Sequence, residues 1–339
     1  MAIVGSRVSN RAVWTTVLAA LLALMAALPL VTRAQETDLG SLEGEIETDG
    51  SSTVGPITEA AAEEFNAEAE NVNITVSISG TGGGFERFCN GETDIQNASR
   101  AIEEDEVALC AENGVEYYNL ELGSDGITVV VNEANDFATC VSTDQLAEVW
   151  AEDGTVGTFA DLNPEFPADE IALYGPGPDS GTFDFFNEVI LGEERAATTE
   201  YTPSEDDNIL VEGVAGDENA LGYFGYAYFA ENEDTVNAVA VDTAGDLSAC
   251  VEPNPDTIRD GSYPLSRPLF IYVNAERMQD EAVQEFIRFY AANAAELVES
   301  IPYVPLPDED YTALEERVEG IIAGEVEPDS SAGAATPEA

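Results

Sequence analysis

The sequence predicts an α/β protein, and three observations carry that expectation. From Gly44 onward, short apolar runs alternate with amphipathic helical stretches. About 290 residues lie between two compositionally distinct ends, enough for one large or two medium domains. Three short apolar leads end in glycines and hydroxyl residues, and a helical stretch follows each time.

The elements follow in chain order. A short apolar lead reaches Gly50, and "ITEAAAEEFNAEAE" from Ile57 reads as a helix with Ile57, Ala61 and Phe65 on one face. "NITVSIS" (Asn73 to Ser79), "GITVVVN" (Gly126 to Asn132) and "EIALYG" (Glu170 to Gly175) read as strands. "DEAVQEFIRFYAANAAELVESI" from Asp280 is a long late helix, with Val283, Phe286, Ile287 and Tyr290 as its stripe. From about Gly324 the composition turns to Pro, Ser, Ala and Glu, which predicts a disordered tail.

The N-terminus reads as a signal peptide. Arg7 and Arg11 precede the apolar run Val13 to Val31, and Thr32 and Ala34 are small residues before a cut at Gln35. No cysteine follows the run to carry a lipid, so the expected location is periplasmic or extracellular. An uncleaved anchor is the alternative, because nineteen mostly apolar residues nearly span a bilayer. Export permits disulfides. Cys89, Cys110, Cys140 and Cys250 allow three pairings. We expect Cys89–Cys110, closing a short loop, and Cys140–Cys250, clasping a long insertion.

The chain has 11 arginines, no lysine and no histidine, against 68 acids, for a formal charge of −57. Cleavage would leave eight arginines against 68 acids, a balance of −60. Nucleic acid and anionic membrane surfaces reward basic patches and are not expected partners. High-salt adaptation and simple solubility both account for the acidity. Without histidine, Ser-His-Asp and Cys-His catalysis cannot be built. Without lysine, Walker-type loops and Schiff bases are also excluded.

The informative feature is one local design used three times. "IETDGSSTVGPIT" places Ser51, Ser52 and Thr53 before Pro56 at a helix start. "ITVSISGTGGGFERF" places Ser79, Gly80 and Thr81 before a helix begun by Phe85 and Phe88. "LYGPGPDSGTFDFF" places Ser180, Gly181 and Thr182 before a helix carrying Phe185, Phe186, Val189 and Ile190. Helix N-termini carry unpaired N–H groups and partial positive charge, so such ends bind oxyanions without a lysine. Each alone is also an ordinary N-cap. A fourth element, "GETDIQNASRAI", brings Asp94, Ser99 and Arg100 together in sequence. Arginine offers a fork to phosphate or carboxylate, and a carboxylate can accept a proton from H–O–P but only repels sulfate. A structural Asp–Arg pair is the plain alternative.

The stretches "DGSSTVGPIT", "SGTGGGFERFCNGETDIQNASRAI", "GPDSGTF" and "YPLSRPLFIYV", in this order, resemble the PstS family of extracytoplasmic phosphate-binding proteins of Pst-type ABC transporters. The resemblance runs from about Ile46 to Ile322. It implies a two-lobed type II periplasmic-binding-protein fold, with a mixed sheet in each lobe flanked by helices and the ligand in the cleft. The implied layout is a signal peptide (1–34), an acidic lead-in (35–45), a first lobe of 46–129 with 270–323, a second lobe of 130–269, and the tail (324–339). Crossings are expected near Val129–Asn132 and Leu269–Val273.

Carried over position by position, the resemblance implies a phosphate site of Ser52, Thr53, Ser79, Gly80, Thr81, Asp94, Ser180, Gly181 and Thr182. Asp94 matches the aspartate that accepts the phosphate proton. The better-known branch carries an arginine four residues before the serine of its S-G-T motif, where this chain has Pro176. Arg100 is the expected substitute, and Arg87 a weaker one whose position could equally face solvent. A second departure, Gly55 where an aromatic is common, should loosen packing beside the first loop. The implied function is phosphate capture for a membrane permease by a monomer, with no enzyme activity, cofactor or metal. Alternatives are a module for another oxyanion such as sulfate or molybdate, an adhesion or sensory protein, or a secreted metal-dependent phosphatase with ligands such as Asp308 to Asp310.

Overall fold

The computed structural model describes residues 38–331, except Asp179, Glu193, Glu194 and Pro302. The signal-peptide expectation for 1–34 lies outside the described residues. Among them, no helix is long and apolar enough to cross a membrane.

The first part of the chain alternates strand and helix: β1 (Gly44–Gly50), α1 (Gly55–Asn66), β2 (Val72–Val76), α2 (Thr81–Cys89), β3 (Ile95–Ala98) and α3 (Glu104–Asn113). A long strand follows, β4 (Tyr117–Asn132). The second lobe holds β5 (Cys140–Ser142), α4 (Thr143–Trp150), α5 (Phe159–Leu162), β6 (Ala172–Pro176), α6 (Gly181–Ile190), β7 (Thr202–Ser204), α7 (Asp207–Gly216), β8 (Ala220–Gly225), α8 (Tyr226–Glu231), β9 (Val236–Asp242) and α9 (Pro255–Arg259). The chain returns through β10 (Ser266–Asn274), α10 (Glu281–Ser300), β11 (Val304–Pro305) and α11 (Asp308–Ile322).

The first sheet runs β2-β1-β3-β10-β4; β1 lies parallel to both neighbours, and β10 is antiparallel to β3 and β4. The second sheet runs β7-β6-β8-β4, with β9 also pairing β4 and β5 pairing β9. Each lobe has its own apolar core. One is built around Ile46, Ile57, Phe65, Phe286 and Val298, the other around Val129, Trp150, Phe186, Tyr223 and Phe224. Every one of these is at most 3% exposed.

Three boundaries differ from expectation. β4 is 16 residues long, because Tyr117 to Asp125 continues the strand seen in sequence only from Gly126. It pairs β10 through Gly126 and β8 from Ile127. The change of sheet partner therefore falls at Gly126/Ile127, ahead of the crossing expected near Val129–Asn132. On the return, Ser266 already pairs Gly126, so Leu269–Val273 lies well inside the first sheet. β4 is buried along nearly all its length, with Glu121 the exposed exception, so burial does not mark the change of sheet.

The third difference is the tail. Within 324–331, Val326, Asp329 and Ser330 are tied to β4 and α11 by hydrogen bonds, where the composition predicts a disordered tail. The Asp329 carboxylate accepts the Asn119 N–H (2.6 Å) and pairs with Arg317 (2.7 Å). The Ser330 hydroxyl accepts the Tyr117 N–H (3.4 Å), and Tyr118 donates to the Val326 carbonyl. Residues 332–339 lie outside the described residues. Both expected disulfides, Cys89–Cys110 and Cys140–Cys250, are formed. Asp308 to Asp310 occupy the first turn of α11, where carboxylates suit the helix dipole.

Candidate functional site

Loop 1 is fixed by the strands on either side of it. β1 ends at Gly50, whose φ of +131° and close approach to Asn97 exclude any side chain: a Cβ there would lie 2.1 Å from the Asn97 carbonyl. That carbonyl accepts the Ser51 N–H (2.9 Å). The Ser51 hydroxyl accepts the N–H of Thr53 (3.1 Å), so the residue reads as a turn-former. Ser52 has no hydrogen-bond partner among the described residues, which leaves its hydroxyl and N–H available. Ile78 packs against Gly55, close enough that a Cβ there would lie 3.2 Å from it, so the space left by the expected aromatic is occupied.

Loop 2 is joined to loop 1. Gly80, at φ +80°, precedes α2 and donates its N–H to the Gly50 carbonyl (3.0 Å). The helix opens at Thr81. The Thr81 hydroxyl shares a hydrogen bond with the Ser99 hydroxyl (3.1 Å). Loop 3 is the N-terminus of α6, where the Ser180 hydroxyl accepts the Thr182 N–H (3.1 Å) and Phe185, Phe186 and Ile190 bury the helix's inner face.

Arg267 draws these loops together. It lies on β10 with its side chain 9% exposed. Its guanidinium donates to the Thr53 hydroxyl (2.6 Å), the Gly181 carbonyl (3.2 Å) and the Ser99 hydroxyl (3.5 Å), and pairs with Asp125 on β4 (3.0 Å). The Phe185 ring lies under it at 4.0 Å. Arg267 thus touches loop 1, loop 3 and the strand shared by both lobes. Gly181 permits this approach: a Cβ there would stand 3.1 Å from the Thr53 hydroxyl and 3.4 Å from that of Ser52.

Of the expected site residues, the structure separates Asp94 from this cluster and holds Arg100 at its margin in ion pairs. Asp94 accepts the Glu47 N–H (2.9 Å) and pairs with Arg277 (2.6 Å), three residues back along β1 from Gly50. Strand β3 lies between Asp94 and Ser99, so they sit at opposite ends of it, roughly 15 Å apart. Arg100 is at the correct end, but Glu106 holds it by a two-bond fork (2.8 Å each) and Glu103 lies at 3.2 Å. The cation among the three loops is Arg267. One sequence signal pointed to it: Arg267 is the only charged residue between Asp260 and Glu276, a lone cation in an apolar strand.

Carboxylates surround this centre. Burial raises the Asp184 carboxyl, with Arg267 opposing the shift. Asp207, at the start of α7, is pushed up to about 6, mainly by burial and further by Asp206, Asp125 and Glu205; a hydrogen bond involving the Gly225 backbone opposes this. Each of the eight arginines of the described residues has a carboxylate within 4 Å, so the cleft has no uncompensated cation. A carboxylate raised on folding favours the native state below its unfolded value and loses that contribution as pH rises through its folded one. Asp207→Asn should therefore stabilise the protein at neutral pH by about 3 kcal/mol. The gain over the parent should vanish near pH 4, as read by thermal melts across pH. A pH-independent difference would reject this role for Asp207.

Comparison with known proteins shows the family. The family model described as a PBP superfamily domain matches residues 32–294. Protein SphX of Synechococcus elongatus is 43% identical over 83% of this chain and 83% of its own. The phosphate-binding protein PstS of Staphylococcus saprophyticus is 38% identical over 86% and 90%. A crystal structure of "a possible phosphate binding protein" from Planctomyces limnophilus superposes with a TM-score of 0.79 at 43% identity, covering 83% of this chain and all of that one. With its two lobes, its three hydroxyl-lined helix starts and these relatives, the chain belongs to the PstS-like phosphate-binding protein family of the PBP superfamily.

Proposed function

We propose that this protein captures inorganic phosphate outside the cytoplasm and presents it to the membrane permease of an ABC importer. The observation that carries this reading is the meeting of loops 1, 2 and 3 around Arg267 and Ser99, between two lobes that share β4. The proposed ligand set is Ser52, Thr53, Thr81, Ser99, Ser180, Gly181, Thr182 and Arg267, with Ser79 and Gly80 behind them. Lobe closure replaces the water around the anion with fixed N–H and O–H dipoles. Hydrogen bonds to a charged group contribute roughly 1.5–3 kcal/mol each. The nearby carboxylates Asp125, Asp184 and Asp207 favour an anion that carries a proton over one that cannot. The monomer acts as a receptor rather than an enzyme, in keeping with relatives named as binding proteins.

Calorimetry tests this. Phosphate should bind one to one, and sulfate at least ~100-fold more weakly, because a fully deprotonated oxyanion leaves the acceptors unmatched. Equal binding of sulfate or molybdate would move the assignment to a general oxyanion module. Steady phosphate-ester turnover by pure protein would replace the receptor with an enzyme.

A further inference from the structure

Asp49 stands where an anion site should least tolerate it. It is fully buried at the end of β1. One carboxylate oxygen accepts the N–H of Gly50 (2.7 Å) and of Ser79 (3.0 Å), so the charge lies directly behind loops 1 and 2. The other oxygen is held by the guanidinium of Arg87, in the last turn of α2, whose first residue is Thr81. Among the described residues no other arginine pairs with Asp49. Arg87 is 41% exposed and also meets Glu92 at the surface (3.3 Å).

Two consequences follow from elementary electrostatics. A buried carboxylate gathers N–H groups and so welds the two loops in one geometry. Uncompensated, the same charge repels an anion on the other side of those loops, and in a dry interior that repulsion is only weakly screened. We infer that Arg87 is a positioning and specificity-determining residue for the phosphate site: it cancels the charge of Asp49, so that the carboxylate can hold the loops without repelling a dianion. This rests on the phosphate-binding reading.

The test uses the full chain and inorganic phosphate in calorimetry at about pH 6 and pH 8, where the ligand is mostly mono- or dianion. Arg87→Gln should weaken binding about tenfold at the higher pH and distinctly less at the lower, since the bare charge acts on the ligand's own charge. The double variant Asp49→Asn/Arg87→Gln removes both charges and should return affinity to within about threefold of the parent. Equal losses at both pH values, or a double variant as weak as Arg87→Gln, overturn the inference and leave a structural role. Should Arg87→Gln fail to fold, Asp49→Asn alone decides: it must bind phosphate at least as tightly as the parent, and weaker binding overturns the inference. A parent protein that binds no phosphate refutes the functional reading instead.

Discussion

Arg267→Ala is expected to weaken phosphate binding by about 100-fold or more, while Arg100→Ala changes it by less than about threefold. The asymmetry follows from what each side chain already does. Arg267 is almost fully buried and reaches both jaws, so its loss removes a charged donor worth roughly 1.5–3 kcal/mol per hydrogen bond to the anion. It also leaves Asp125, itself 3% exposed, as a bare charge beside the ligand. Breaking one partner out of a buried pair costs about 3–5 kcal/mol, so the variant should also melt earlier. The double change Arg267→Ala/Asp125→Asn separates the two effects: much of the stability should return, and phosphate binding should not. Arg100 has two acidic partners and a half-exposed position, where ion pairs contribute about 0–1 kcal/mol. Calorimetry and melting on the four proteins decide the matter. Loss of binding in Arg100→Ala with retention in Arg267→Ala would reverse the assignment.

The second large effect concerns the rate of capture. With a balance near −60 and every described arginine paired, the approaching anion meets a repulsive field with no local cation to focus it. Added inert salt shortens the Debye length from about 30 Å at 0.01 M to about 3 Å at 1 M. Stopped-flow association should therefore accelerate by roughly tenfold or more across that range. Dissociation should change much less, because the bound anion is surrounded by buried dipoles. Rates that fall as salt rises would contradict this account and point to a basic entry path.

Much of the site was legible because its parts are local. Ser180 as an N-cap, Pro56 in a first turn and a glycine run opening a helix are statements about a few consecutive residues. Arg267 was hidden because its partners, Thr53 and Asp125, lie 214 and 142 residues away in sequence. Asp94 stands apart from the three loops for the opposite reason. Asp94 and Arg100 are close in sequence, but a strand lies between them, and a strand separates its ends instead of gathering them. The same limit applies to the fold. Alternation revealed an α/β chain, whereas Asn119, Glu121, Ser124 and Asp125 interrupt the apolar pattern of β4, so its first half did not read as strand.

The short C-terminal segment has a consequence for self-association. Tyr117 and Asn119 direct their N–H groups away from β10, along an edge that another chain's strand could extend. Ser330 and Asp329 accept those two groups with side chains instead of backbone, and a side-chain acceptor offers no further strand to pair with. A segment that reads in sequence as featureless trailing residues thus satisfies this stretch of β4 with side chains, and it sets a carboxylate on an edge that would otherwise offer free N–H groups to a neighbouring strand.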